Sequence, residues 1–309
     1  MVVASGVKAE SPCTDKLVFV YFNGVNTTKN QAKVAVEKHF SKTHGKTTEK
    51  GDAILYRLLY NQTNESYYGL EDFVETFDQR LQEQNGLLED RFELFFGALN
   101  GDGTWWSSIT DAIPEVIPLL DDFVETVKTG TVEILINSLA SPPTLDDYAN
   151  HQENIERWMK NGSKLLFVSH SQGNLFANAA YDYVEPDIGS DSIKTVHIAP
   201  ASITLNGEHT LADLDLVINS LRLQGGSVPS ITNGIPEYFS RPPGLNGATD
   251  VLGHGLLEIY LNQNLSTAAR IKGHIEDAFD TLEFSKYKSN TGYALFNGKV
   301  YPYTCNPGG

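Results

Sequence analysis

"LLFVSHSQGNLF", Leu165 to Phe176, is the stretch on which the fold turns. An unbroken apolar run, Leu165–Val168, enters Ser169-His170-Ser171-Gln172-Gly173, and apolar residues at helical spacing follow. A continuous apolar run bounded by small residues reads as a strand buried on both faces, the mark of a parallel sheet. The segment is therefore a strand, a tight turn and a helix, with Ser171 at the turn. A nucleophile elbow needs that context. The usual pattern is G-x-S-x-G, and here Ser169 holds the place of the first glycine. The turn demands small neighbours on either side, and Ser169 and Gly173 both meet that demand. A helix starting just after Ser171 points its free N–H groups and positive dipole end at the hydroxyl, where an oxyanion would form. The Gln172 backbone N–H is the first expected oxyanion donor.

Upstream, "KLVFVYFNG" (16–24) is a second buried strand, closed by an Asn-Gly turn. The loop after it, Phe22 to Thr28, is the expected source of the second oxyanion donor. Gly24 lets the backbone come close to a substrate. The Val25 N–H is the first choice of donor and Asn26 the next. Asn23, Gly24, Asn26 and His170 are expected to contact substrate.

The other elements fall into an alternating order. "KNQAKVAVEKHFSK" (29–42) reads as a helix, "DAILYRLLYN" (52–61) as a strand, "LEDFVETFDQRLQEQN" (70–85) as a helix and "LDDYANHQENIERWMKN" (145–161) as another. After the elbow helix come the strand "SIKTVHIAP" (192–200) and late helices in "GHGLLEIYLN" (253–262) and "LSTAARIKGHIEDAFDTLEF" (265–284). Strands alternating with helices predict an α/β fold with a mainly parallel, doubly wound sheet and helices on both faces. Residues 86–144 break the rhythm. They carry Phe95, Phe96, Trp105 and Trp106, with apolar stripes interrupted by Pro114 and Pro118. The expectation is a helical insertion within a core made of 16–85 and 145–309.

A serine is a weak nucleophile without a base, and the base needs an acid to orient it. After an elbow serine the acid and then the histidine follow along the chain. Four histidines follow Ser171. His197 lies inside a strand, His209 comes too early to leave room for an acid, and His274 falls on an amphipathic helix as a surface residue. His254, between Gly253 and Gly255, suits a loop that carries a base over the sheet edge. Asp215 is the favoured acid, ahead of Asp213 and Asp250.

These parts resemble the α/β-hydrolase family, in its bacterial lipase and esterase branch. The residues that carry the likeness are "NGVN" after the first strand, "SHSQGN" at the elbow and "GHGLLEIYL" near the end. The likeness spans residues 16 to about 285, the insertion excepted; for residues 86–144 it implies a mobile helical cap or lid over the site, the alternative being a fixed helical subdomain that completes the core. It implies a Ser171–His254–Asp215 triad, an acyl-enzyme intermediate and no metal or cofactor. The substrate class it implies is an acyl ester or lipid. Thioesterase, acyltransferase and peptidase chemistry share the same triad. A binding protein that keeps the scaffold without catalysis is the alternative of another class.

Composition narrows the partners. The 309 residues carry a formal net charge of −16, with 40% hydrophobic residues. No basic track is available for nucleic acid, and tight docking on anionic membranes is disfavoured. No run approaches the ~18 apolar residues of a membrane helix. A monomer is expected. The two cysteines, Cys13 and Cys305, lie near opposite chain ends and outside any metal or redox spacing. A disulfide between them is expected, and with it an oxidising, secreted or periplasmic compartment; the alternative is two free thiols and a cytoplasmic protein. Residues 1–15 read as a leader, the remnant of a processed N-terminus.

Overall fold

The computed structural model describes residues 16–24, 27–61, 144–215, 218–219, 229–236, 240–250, 253–284, 291–296 and 299–304. The leader 1–15, Val25, Asn26, the helix expected at 70–85, Cys13 and Cys305 lie outside the described residues. So does the insertion expected at 86–144, except Thr144.

Strand β1 (Lys16–Phe22) leads into helix α1 (Lys29–Val34). Thr28 caps α1 through a reciprocal box with Gln31, which satisfies two of the otherwise orphaned N–H groups. The helix widens into a π-type turn over Ala35–Phe40 and closes with α2 (Ser41–His44). Then follow β2 (Ala53–Leu59), α3 (Thr144–Lys160), β3 (Lys164–His170), α4 (Gly173–Ile188), β4 (Ile193–Ile198) and β5 (Glu208–Thr210). Helix α5 spans Ser266–Thr281.

The five strands β1 to β5 form one sheet in the order β2-β1-β3-β4-β5, and every pairing is parallel. Successive side chains point to opposite faces of a strand, so a strand buried on both faces must feed two cores. Leu17, Phe19 and Tyr21 of β1 join one core with Phe40 and with Ile271 and Ile275 of α5. Val18, Val20 and Phe22 join the other with Ile155 of α3 and Phe176, Ala180 and Val184 of α4. Helices therefore cover both faces, as the unbroken apolar strands require. Truncating any of these buried phenylalanines to Ala should cost about 3–5 kcal/mol.

The strand order fixes where a ligand would go. From β1 the chain steps outward to β2, and from β3 it steps the other way to β4 and β5. The crevice outside the carboxyl ends of β1 and β3 is thus the topological switch point, where open α/β sheets bind ligands. Ser171 follows directly on the end of β3, and Gly24 stands two residues beyond the end of β1.

Some expectations need correction. The helix read in "GHGLLEIYLN" is only a π-type turn, Leu256–Tyr260, closed by Leu261 N donating to Leu256 O at 2.8 Å. Strand β5 has three residues, too few to show an alternating pattern. Near the C-terminus, β6 (Thr291–Phe296) and β7 (Lys299–Thr304) form a separate antiparallel pair and add nothing to the parallel sheet. His274 is not a plain surface residue. Its side chain is 13% exposed, and its Nδ1 lies 3.9 Å from Glu208 of the β5 edge.

Candidate active site

Ser171 sits between β3 and α4 with φ at 55°. A non-glycine residue in the left-handed region costs about 1–3 kcal/mol and persists only when its surroundings hold it there. The surroundings do so with hydrogen bonds. Ser171 N donates to Ile198 O at 3.0 Å. Asn174 Nδ2 donates to Ser171 O at 2.7 Å and to Ile198 O at 3.2 Å. Asn174 Oδ1 accepts from Ser169 Oγ at 2.9 Å and from His197 Nδ1 at 2.7 Å. His197 Nε2 then accepts from Asn206 N at 3.3 Å, which fixes the proton on Nδ1. Burial pushes the His197 pKa down to about 3, helped by His209 nearby, so the ring stays neutral. Ser169, Asn174 and His197 are fully buried. The serine that departs from the usual elbow pattern therefore has a partner: its hydroxyl belongs to this network.

Two glycines set how closely the backbones approach. A Cβ on Gly173 would lie 2.5 Å from Phe22 O and 2.6 Å from Asn23 O. A Cβ on Gly24 would lie 2.6 Å from His170 Nδ1 and 2.7 Å from the Ser171 Cβ. The end of β1 thus presses on the elbow, and any side chain at either position would force them apart. Gln172 precedes α4 and makes no side-chain cap. Among the described residues no group accepts from its backbone N–H, which leaves that donor open at the helix N-terminus beside Ser171.

The loop that carries His254 reaches Ser171 from the far side. Ser171 Oγ lies 2.9 Å from His254 Nε2. His254 Nδ1 lies 2.9 Å from Asp215 Oδ2 and 3.1 Å from Oδ1. In the tautomer this geometry requires, Nδ1–H donates to Asp215 and Nε2 accepts from the serine hydroxyl. Asp215 is fully buried. Its Oδ1 accepts from Ile218 N at 2.9 Å, and its Oδ2 accepts from the Tyr260 hydroxyl at 2.6 Å. Burial, with Asp215 beside it, raises the Tyr260 pKa well above the phenol value, so this hydroxyl keeps its proton and donates. It accepts from Ala212 N at 3.2 Å.

Burial is the largest single influence on His254 and pushes its pKa down. The Asp215 charge and hydrogen bond, joined by the Asp250 charge, oppose it and leave the pKa raised. Asp250 does not touch the His254 ring. Its Oδ2 accepts from His254 N at 2.5 Å and Gly255 N at 2.6 Å, and so shapes the loop. Asp213 is a turn residue, its Oδ1 accepting from Leu214 N and Ile235 N at 2.8 and 2.9 Å. His209 pairs with Ser230 O at 2.9 Å, away from the serine.

Two residues expected to contact substrate have side chains with partners inside the protein. The Asn23 side chain is fully buried and clamped to Asn61. Asn61 N donates to Asn23 Oδ1 at 2.8 Å, Asn61 Nδ2 to Asn23 O at 2.6 Å, and Asn23 Nδ2 to Asn61 O at 3.2 Å. This reciprocal pair ties the ends of β1 and β2 together. His170 is only 4% exposed and lies beneath the His254 loop, its Nε2 3.0 Å from His254 O.

Asn174, Tyr260 and Asn61 carry the supports, and nothing local in the sequence announces Tyr260 or Asn61. The one available signal is Asn174, a short polar residue on the buried face of an otherwise apolar helix start. Among the described residues no group of three or more His, Cys, Asp or Glu side chains converges as a metal set. None of the helices among the described residues is long and apolar enough to cross a membrane. No protein-family model, curated protein or solved structure matches the chain.

Proposed function

We propose that the protein is a serine hydrolase of the α/β-hydrolase kind that cleaves carboxylic esters, acyl or lipid, through an acyl-enzyme. The observation that carries this reading is the line Ser171 Oγ–His254 Nε2, His254 Nδ1–Asp215, both at 2.9 Å, built on a serine with φ at 55°. A strained serine at a strand-to-helix turn, with base and acid in hydrogen-bond reach, is the arrangement that activates a hydroxyl.

In the mechanism Ser171 Oγ attacks the ester carbonyl carbon while His254 Nε2 takes its proton. Asp215 holds the tautomer and stabilises the imidazolium, without itself taking the proton. The Gln172 N–H, at the positive end of α4, stabilises the oxyanion. A second N–H from the loop after β1 completes the hole. His254 then protonates the departing alkoxide as the tetrahedral intermediate collapses to the acyl-enzyme. Water attacks that ester with the same base, releasing the acid and restoring Ser171. No step calls for a metal or cofactor.

The test is capture by a fluorophosphonate, followed by peptide mapping, together with a chain-length series of p-nitrophenyl esters. Covalent labelling at Ser171 and ester turnover are expected; a folded protein that does neither overturns the reading. The proposal extends to an exported protein with Cys13 and Cys305 bridged. Peptide mapping without reductant decides that, and two free thiols would refute it.

A further inference from the structure

His170 stands next to Ser171 in the chain, yet its side chain is spent on the base. It ends β3, and its Nε2 lies 3.0 Å from the main-chain oxygen of His254. A carbonyl only accepts, so Nε2 carries the proton and donates. The His170 ring also packs on the His254 ring, with centroids 4.9 Å apart and planes tilted by 33°. Its other neighbour is Tyr260, edge-on at 5.9 Å. We propose that His170 is a positioning residue for the base, holding the His254 main chain through Nε2–H and supporting its imidazole through the ring. This rests on the triad reading above.

The remaining nitrogen says which charge state does this work. His170 Nδ1 is buried and has no hydrogen-bond partner. It faces Gly24 so closely that even a methyl carbon there would stand 2.6 Å away. A proton on Nδ1 would put a charge and an unpaired N–H against buried backbone, a cost of several kcal/mol. Burial first, and the neighbouring His254 second, push the His170 pKa well below the usual histidine value. His170 is therefore neutral in every state of the cycle. The groups that face His254 are Asp215 on one edge, Asp250 at its main chain and His170 against its ring face. When His254 takes the serine proton, a neutral ring lies beside the new cation. A charged one would repel it. An aromatic face next to a desolvated cation contributes favourably.

A positioning role differs from a substrate contact in what it changes. Loss of the Nε2 donor should misplace His254 and lower kcat while KM stays near wild type. Misplacing a catalytic group by about 1 Å can cost about 100-fold. The experiment uses the whole protein with His170→Phe, which keeps a ring and loses the donor, and His170→Gln, whose amide N–H can reach where Nε2 stood. For each, kcat and KM on one p-nitrophenyl ester are measured, with the rate of fluorophosphonate capture across pH. His170→Phe should lose about 10- to 100-fold in kcat and in capture rate, and His170→Gln should recover most of that loss. Wild-type capture by His170→Phe, or a loss confined to KM, overturns the inference while the hydrolase survives. Absence of capture in the wild type overturns the hydrolase reading itself. Should His170→Phe fail to fold, His170→Gln decides alone: capture within about tenfold of wild type supports the role, and a loss as deep as that of His254→Ala ends it.

Discussion

His197 and His254 lie at the same end of one sheet, on two sides of Ser171, and the protein pushes them in opposite directions. His197 belongs to β4, where it pairs with Ser169 of β3 beneath the elbow, and its partner is the amide of Asn174 on α4. His254 lies on a loop above the elbow, and its partner is the carboxylate of Asp215. Burial acts on both rings against the charged form. With a neutral partner, burial wins and His197 is held near 3. With Asp215 and Asp250 at hand, burial loses and His254 rises. The same residue type thus becomes a neutral strut in one region and, on the hydrolase proposal, a base in the other. The charge of the partner decides which.

The largest effect should come from Ser171→Ala, which leaves both regions built and removes what joins them. On an activated ester kcat should fall about 10⁶-fold, as when a triad nucleophile is removed, with circular dichroism and Tm near wild type. A folded variant with full turnover would show that Ser171 is not the nucleophile His254 activates.

Next in size is the acid–base pair. Asp215→Asn should cut kcat about 10⁴-fold by favouring the wrong tautomer. His254→Ala should cost a similar or larger amount, and the double variant should be little worse than His254→Ala alone, because parts of one unit are not additive. The pH profile sharpens the point. Only neutral His254 can take the serine proton, so activity is lost as pH falls through its raised pKa. The acid limb of kcat/KM should therefore lie above the ordinary histidine value of about 6.5. Asp250→Asn keeps an oxygen for the two loop N–H groups and removes a charge that raises His254. The acid limb should move to lower pH, and the rate on the plateau should change by less than about tenfold. An unmoved limb would show that Asp250 acts through loop shape alone.

The neutral region should fail through stability. Asn174→Ala leaves Ser169 Oγ and His197 Nδ1 without their shared acceptor in the buried interior, while Ser171 O and Ile198 O keep the backbone N–H donors of residues 174 and 171. At about 1–3 kcal/mol for each stranded group, the expected loss is at least about 2–3 kcal/mol, read by urea unfolding at pH 8. His197 adds a pH signature. Its pKa is depressed on folding, so its contribution is present above about pH 6.5 and is lost as pH falls towards about 3. In that window the unfolded chain binds one more proton at this site than the folded one. His197→Gln should make stability less steep against pH there by one proton. An unchanged slope would mean that the ring is not held neutral.

The sequence made the sheet and the elbow legible because both are local. Strands β1 and β3 are unbroken apolar runs, and a small residue on either side of Ser171 marks the turn. The choice of Asp215 and His254 rested on chain order and flanking residues, although they lie 39 positions apart and His254 lies 83 beyond Ser171. The supports were not legible. Tyr260 reaches Asp215 across 45 positions, and its place in the apolar run "LLEIYL" gives no hint of a buried hydroxyl bond. Asn23 and Asn61 find each other across 38 positions, so Asn23 reads as a loop residue free for substrate. The helix expected in "GHGLLEIYLN" shrank to a single turn, because Gly253 and Gly255 bend the chain to deliver His254 and leave only Leu256–Tyr260 to wind.

The smallest effect is expected at Gln172, which belongs to neither histidine's network. Its backbone N–H is the proposed oxyanion donor, but its side-chain amide is fully buried and neither Nε2 nor Oε1 has a hydrogen-bond partner. A buried amide without partners costs about 1–3 kcal/mol relative to a paired one. An apolar side chain of similar length removes that cost and leaves the backbone donor in place. Gln172→Met should therefore keep kcat within about tenfold, since oxyanion donors act through the retained N–H. Its Tm should equal or exceed that of the wild type. A fall in kcat of about 100-fold or more at unchanged Tm would mean that the amide itself contacts the reacting group, and the division of labour drawn here between backbone donor and idle side chain would be wrong.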